Sequence, residues 1–300
     1  MKHILLKCMF TLLFIGFPAD GAAAQPEAGS APVHPFTLEA VAAVRPDVHY
    51  VPTPMAVVRK MLEMAEVDEK DLLYDLGSGD GRIVITAALE RGALGVGIDI
   101  DPERIKESMA NAEIANVTDR VRFFQRNLFE TDLSQASVVT LYLLPWINLE
   151  LRPKLLRELK PGTRIVSHSF DMGDWEPDQF EMVEGDQVFS WVVPANVSGT
   201  WEWTTSGPQG KEAYRLELEQ TFQEVAGTFS DSSGSMPLED AMLVGERLEF
   251  RVERNVGGRY ESVRYEARVQ DNTMEIAAVG GTADAAQARR DPHTVASIAY

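Results

Sequence analysis

Tyr74-Asp75-Leu76-Gly77-Ser78-Gly79-Asp80-Gly81-Arg82 is the stretch that decides the fold. It joins an apolar run, Leu72 to Leu76, to a helical stripe of Ile83, Val84, Ala87 and Ala88 within residues 82–91. So short and apolar a run, closed by glycines, reads as a strand buried on both faces. The glycines let the backbone turn tightly and approach a ligand with no Cβ in the way. Ligands of open parallel sheets sit at the carboxyl ends of the strands, where this loop falls. A nicotinamide-binding fingerprint needs its third glycine at the position Arg82 takes. Asp75, ahead of the loop, is ill placed beside a pyrophosphate and well placed beside a cationic ligand.

The alternation continues in both directions. Upstream, Thr53 as cap and Pro54 at the first helical position open a helix striped with Val57, Val58, Met61, Leu62 and Ala65. Downstream, a second strand from Leu94 to Ile100 ends at Asp99-Ile100-Asp101-Pro102, and a helix follows over 103–116. Val121 to Gln125 and Val138 to Leu144 are strands three and four. A helix is predicted over 148–159, and a fifth strand from Arg164 to Phe170. Phe180 to Val183 and Val188 to Val193 suit a closing antiparallel hairpin. This pattern predicts an α/β domain over 47–194, a Rossmann-like, doubly wound, mostly parallel sheet.

After Pro194 the period changes from helical to two. Tyr214, Leu216, Leu218 and Phe222, then Leu248, Phe250 and Val252, then Val263, Tyr265, Ala267 and Val269 line one side of alternating runs. Residues 195–282 are therefore expected to form a C-terminal antiparallel all-β domain, a small barrel or roll of five to seven strands. Residues 283–300 read as a loose tail. Trp191, Trp201 and Trp203 fall near the junction and are assigned to the interface between the domains.

The first 24 residues have the weakly basic start (Lys2, Lys7), the apolar run (Met9 to Phe17) and the small residues (Ala22-Ala23-Ala24) of a signal peptide. Residues 25–46, rich in Pro, Ala and Gly, read as a flexible leader. Export to the periplasm is the expectation, with an uncleaved membrane anchor as the alternative; a stable transmembrane span is not expected after cleavage. Cys8, the only cysteine, lies in the removed segment, so the mature chain carries no disulfide and no Cys-based zinc site. No His/Asp/Glu set has metal-ligand spacing, and no metal is expected. Acidic residues outnumber basic ones by 46 to 28, and the net charge of −18 repels phosphate backbones, so nucleic acid is not an expected partner.

The run from Asp75 to Arg82 resembles the first motif of class I S-adenosylmethionine-dependent methyltransferases, and Gly97-Ile98-Asp99-Ile100-Asp101 resembles the second. The resemblance implies S-adenosylmethionine as cofactor. It implies a cradle of Asp75, Gly77, Ser78, Gly79 and Gly81, and ribose binding by Asp99 beside Ile100, with Asp101 as the reserve. Asn127 and Leu128, after the third strand, fall where the family contacts adenine; Asp is the commoner residue there. A narrower resemblance covers Val51 to about Asp178. It is similar to the seven-strand protein-lysine methyltransferases of mitochondrial carrier and ATP-synthase subunits, on Pro52, residues 75–84, 139–145 and 155–166, and Trp175.

That likeness implies methyl transfer to a protein lysine by in-line displacement. Tyr142, Pro145 and Trp146 follow the fourth strand, where the family meets its substrate. The Asn/Asp-Pro-Pro-aromatic signature of methyltransferases acting on bases or glutamine is missing there. His168, ending the fifth strand, reads as a histidine bound to a neighbouring backbone group rather than a base. The other readings are methylation of an exported small molecule, and an inactive envelope binding module that uses the β domain. The last has a reason: the signal segment leads outward, whereas S-adenosylmethionine is made inside the cell.

Overall fold

The computed structural model describes residues 50–207, 210–256, 258–280 and 285–298. The expected signal segment and leader lie outside the described residues.

The first sheet holds β1 (Leu72–Leu76), β2 (Leu94–Asp99), β3 (Val121–Gln125), β4 (Val138–Leu141), β5 (Arg164–His168), β6 (Gln179–Val183) and β7 (Asp186–Val192). They lie in the order β3-β2-β1-β4-β5-β7-β6. The first five are parallel, and β7 runs against both its neighbours. Order reverses between β1 and β4, which opens a crevice at the carboxyl ends of the strands. Register places Asp75 of β1 between Gly97 of β2 and Thr140 of β4.

Side-chain alternation splits the core in two. Leu73, Val138 and Val166 meet α1 (Met55–Met64), α2 (Arg82–Thr86, continuing as a π turn over Ala87–Arg91) and α3 (Pro102–Ile114). Leu76, Val139, Leu141 and Ile165 meet α4 (Pro145–Glu158) on the other face. Two helix starts differ from expectation. Pro54, not Thr53, sits at the N-cap of α1, because the Thr53 hydroxyl is engaged with His168. Helix α4 begins at Pro145, ahead of the expected start, because proline's fixed φ suits a first helical turn.

The second sheet holds β8 (Gly199–Gly207), β9 (Gly210–Thr221), β10 (Glu224–Asp231), β11 (Gly234–Pro237), β12 (Glu239–Val244), β13 (Arg247–Val256), β14 (Arg259–Gln270), β15 (Thr273–Ala278) and β16 (Ala286–Arg290). Among the described residues it has nine strands, in the order β11-β10-β9-β8-β16-β15-β14-β13-β12, rather than the five to seven expected. The short β11 is hidden in the sequence by its small and polar residues, and β12 by a run, Ala241 to Val244, that does not alternate. The expected loose tail is corrected as well: β16 pairs with β15 and β8 and completes the wall. Its alanines give no strong apolar signal.

Among the described residues the sheet curls into an up-and-down barrel that is left unpaired between its edge strands β11 and β12. Phe229 of β10 reaches Tyr265 of β14, with ring centroids 5.1 Å apart, although the two strands are far apart in sheet order. Side chains such as Trp201, Trp203, Phe229 and Phe250 fill the interior. Trp201 and Trp203 therefore belong to the barrel core, and Trp191 to the first sheet's core. Phe222, at the tip between β9 and β10, reaches across the junction, where Gly245 also packs close to Gly162. The Phe222 ring stacks on Trp175 with centroids 5.7 Å apart. Among the described residues no helix is long and apolar enough to cross a membrane.

Candidate active site

The chain reverses sharply after β1. The amides of Gly77 and Ser78 both donate to the Ile98 carbonyl, at 2.8 and 2.9 Å, which fastens the loop to β2. Gly77 and Gly79 have φ of 83° and 53°, a region that strains residues with a Cβ. A side chain at either position would also displace a neighbour. A Cβ on Gly77 would stand 2.8 Å from Leu143 Cδ2, and one on Gly79 would collide with Tyr50 Cε2.

Asp99 joins the end of β2 to this loop. Its Oδ2 accepts from the Gly79 amide at 2.8 Å, and its Oδ1 from the Asp101 amide at 2.9 Å. Each carboxylate oxygen offers two lone pairs, so both keep acceptor capacity. Asp101 is engaged elsewhere: it caps α3 through the Glu103 amide and faces Arg104. Asp75 is fully buried and accepts from the Thr140 hydroxyl at 2.7 Å. Burial pushes its pKa up to about 7; the Thr140 bond opposes this, and the nearby Asp99 and Asp80 add to it. Burial acts on Asp80 in the same sense, but the hydrogen bonds and charge of Arg82, 2.6 Å away, win and hold its pKa below the usual range.

These groups open onto one cleft of about 850 Å³. Of the expected residues, Asp75, Gly77, Ser78, Asp99, Ile100, Asn127, Leu128, Tyr142 and Trp146 line it. Gly79, Gly81 and Pro145 are not among the lining residues. Gly79 is covered by Tyr50, Gly81 packs on Phe123 and Ser108, and Pro145 serves as the first residue of α4. Asn127 turns its side chain inward to the chain: its Oδ1 accepts from the Phe129 amide at 3.0 Å and caps a short 3-10 turn. Sequence reasoning missed Tyr50, Val51, Thr53, Arg104 and Arg126, which also line the cleft. The closely spaced Pro52 and Pro54, which hold their predecessors extended, were the available sign of an arm ahead of α1.

On the far side Tyr142 lies against His168, with ring centroids 3.8 Å apart, and Phe170 stacks further out at 6.4 Å. His168 is buried and its partners are side chains, not the backbone group expected. Its Nδ1 lies 3.2 Å from the Thr53 hydroxyl and its Nε2 3.6 Å from Asp186. Burial lowers its pKa and Asp186 opposes this. It does not line the cleft, so it supports Tyr142 from behind. The buried Asn148 Nδ2 donates to the Phe170 and Asp171 carbonyls, both at 3.2 Å, and ties the loop after β5 to α4. Trp146, at the start of α4, is 49% exposed at the cleft.

The residues present fit S-adenosylmethionine. Four carboxylates, Asp75, Asp80, Asp99 and Asp101, line the cleft, an acidic acceptor set suited to a ligand bearing a sulfonium, an ammonium and a diol. Ser78 Oγ is buried beside them with no hydrogen-bond partner among the described residues. This strand order, with a glycine loop after β1 and an acidic residue ending β2, defines a class I S-adenosylmethionine-dependent methyltransferase.

Comparison with known proteins narrows the class. The ANTKMT methyltransferase domain matches residues 75–179, ending at the first residue of β6. A protein-lysine N-methyltransferase of Saccharolobus islandicus is 52% identical over 140 residues, which cover 46% of this chain and 87% of that protein. A Mus musculus lysine N-methyltransferase of an ATP synthase subunit is 33% identical, over 61% of this chain and 70% of its own length. A crystal structure described as an RNA methyltransferase from Salinibacter ruber, in complex with S-adenosyl-L-homocysteine, is 58% identical over 49% of this chain and 96% of its own. Its TM-score is 0.48. The chain belongs to the seven-strand protein-lysine methyltransferase family, and its cofactor is S-adenosylmethionine.

Proposed function

We propose that this protein methylates lysine side chains of a protein acceptor. The observation that carries the reading is the pair of aromatic side chains, Tyr142 and Trp146, in the same cleft as Asp99 and the glycine loop. Ring faces attract an alkylammonium and pack well along its methylene stem. When bound, S-adenosylmethionine supplies a methyl group activated by its sulfonium. The chain's own residues hold and orient the reactants. Asp99, with Asp75 and the glycine loop behind it, forms the cofactor side, and Tyr142, backed by His168, forms the acceptor side. A lysine entering from water carries a proton with a pKa of about 10.4. Desolvation in the slot lowers that pKa, whereas the ring faces and the carboxylates of the cleft favour the charged form, so the slot binds the ammonium and the proton must pass to solvent before transfer.

The names of the Saccharolobus and mouse relatives support a lysine acceptor. The RNA acceptor ascribed to the Salinibacter protein is disfavoured here by the net charge of −18, which repels phosphate backbones. The test supplies radiolabelled S-adenosylmethionine and a cell extract whose protein amines are either free or chemically blocked. The expected label is in protein, is lost on blocking, and is recovered as methyllysine after hydrolysis. Label confined to RNA or to small molecules overturns the reading. We also propose that the chain is exported and processed before Gln25. N-terminal sequencing after cell fractionation checks this, and an intact cytosolic chain refutes it.

A further inference from the structure

Tyr50 stands over the glycine loop, outside every sequence motif that marks the cofactor site. Its ring edge, at Cε2, fills the place of the Cβ that Gly79 lacks. The Arg104 guanidinium of α3 lies over the same ring, 4.9 Å from the centroid. Arg104 is itself anchored to Glu107 and faces Asp101. Tyr50 therefore bridges the arm ahead of α1 to α3, across the glycine loop.

The arm is pinned a few residues further on. Arg82 donates to the Thr53 carbonyl at 2.9 Å, and the Thr53 hydroxyl bonds His168 at 3.2 Å. Tyr50 is thus held by ring contacts to Gly79 and Arg104 and by the approach of its hydroxyl to Asp80, while the chain after it is fixed by hydrogen bonds. Tyr50, Arg104, Gly77 and Asp99 all line the one cleft. Burial, with Asp80 adding, raises the pKa of the Tyr50 hydroxyl, so the ring stays neutral at physiological pH.

We propose that Tyr50 and Arg104 form a latch that retains S-adenosylmethionine, with Tyr50 as a cofactor-binding residue. The contact of the ring with Gly79 and with the guanidinium favours the closed position. Cofactor leaves only when the ring lifts, so the latch acts on dissociation. The inference rests on the cofactor assignment alone and is independent of the methyl acceptor. It also gives Gly79 a second reason to be glycine: a side chain there would unseat the ring.

The test measures binding of S-adenosyl-L-homocysteine to the full chain, by calorimetry for affinity and stopped flow for rates. Tyr50→Ala is expected to raise the dissociation rate about ten-fold, the size of a partly desolvated cation–π contact. Tyr50→Phe keeps the ring and is expected to stay within about two-fold of wild type. Tyr50→Ala/Arg104→Ala is expected to be no worse than Tyr50→Ala alone, because the two groups act as one unit. Tyr50 is 36% exposed, so removing its ring leaves the core packed, and unfolding curves of each variant check this. A dissociation rate for Tyr50→Ala within about two-fold of wild type overturns the latch. So does tighter binding, which would place the ring in the cofactor's own space, or a Tyr50→Phe defect as large as that of Tyr50→Ala. Absence of binding by wild type overturns the cofactor site with it, whereas binding that is lost only in Asp99→Ala keeps the site and removes the latch.

Discussion

Replacing Phe222 by alanine removes a ring that the barrel places in the core of the first sheet. The ring is 3% exposed, stacks on Trp175 at 5.7 Å and lies 5.2 Å from the Arg152 guanidinium. Next to it Gln223 accepts from the Trp175 indole at 2.9 Å and donates to the Glu176 carbonyl at 2.8 Å. Truncating a buried phenylalanine costs about 3–5 kcal/mol. Here the loss falls on the contact between the sheets, so it uncouples their unfolding more than it melts either core. The backbone adds a sharper test. Phe222 has φ of 52°, a conformation that costs a non-glycine residue roughly 1–2 kcal/mol. Phe222→Gly escapes that strain, so it should be less destabilised than Phe222→Ala by about 1 kcal/mol, the reverse of the usual order in a strand. Urea unfolding followed by tryptophan fluorescence reports both sheets, since Trp175 and Trp191 lie in one core and Trp201 and Trp203 in the other. The expected result is one transition in wild type and two in Phe222→Ala. A Phe222→Ala curve that superimposes on wild type refutes the reasoning.

Three further outcomes are expected. Asp75 has a pKa near 7 when folded, against about 3.9 in an unfolded chain. Between those values the folded state holds the extra proton, so stability of the ligand-free protein falls as pH rises towards 7. Urea midpoints at pH 5 and 8 should show that slope reduced in Asp75→Asn; an unchanged slope contradicts the assignment. Asp99→Ala should weaken S-adenosyl-L-homocysteine at least ten-fold, from the loss of charge-assisted hydrogen bonds and of the bond that steadies Gly79. Calorimetry showing wild-type affinity would remove Asp99 from the site. Inside the barrel Arg254 donates to Asp231 at 2.7 Å and to the Tyr265 hydroxyl at 2.9 Å. Asp231→Ala removes the carboxylate partner of this half-buried guanidinium and should cost about 1–3 kcal/mol in denaturant unfolding. A loss below about 1 kcal/mol would mean that water reaches the arginine.

The first sheet was largely legible because its signals are local. A strand buried on both faces must be apolar throughout, and a strand-to-helix reversal at a ligand must have glycine where a Cβ has no room. Residues 72–82 show both. The barrel was legible in kind and not in number. Leu248, Phe250 and Val252 alternate plainly, but β11 is mostly small and polar and β16 owes its place to the strands beside it. Asn127 shows the ambiguity of a single residue type: the side chain that suits a ligand also suits a turn, and here it caps the turn.

The sequence by itself determined the α/β and all-β halves, the glycine loop and the acidic residue that ends β2. Each follows from short-range sterics and periodicity, which nearby residues specify alone. Tertiary structure decided what depends on residues distant in the chain. It set Tyr50 on Gly79, Thr53 and Asp186 on His168, and Phe222 on Trp175. It also gave Asp99 and Asp101, both lining the cleft, different surroundings: Asp99 is fastened to the glycine loop through Gly79, and Asp101 caps α3. Such pairings are made by packing between elements, and no spacing along the chain encodes them.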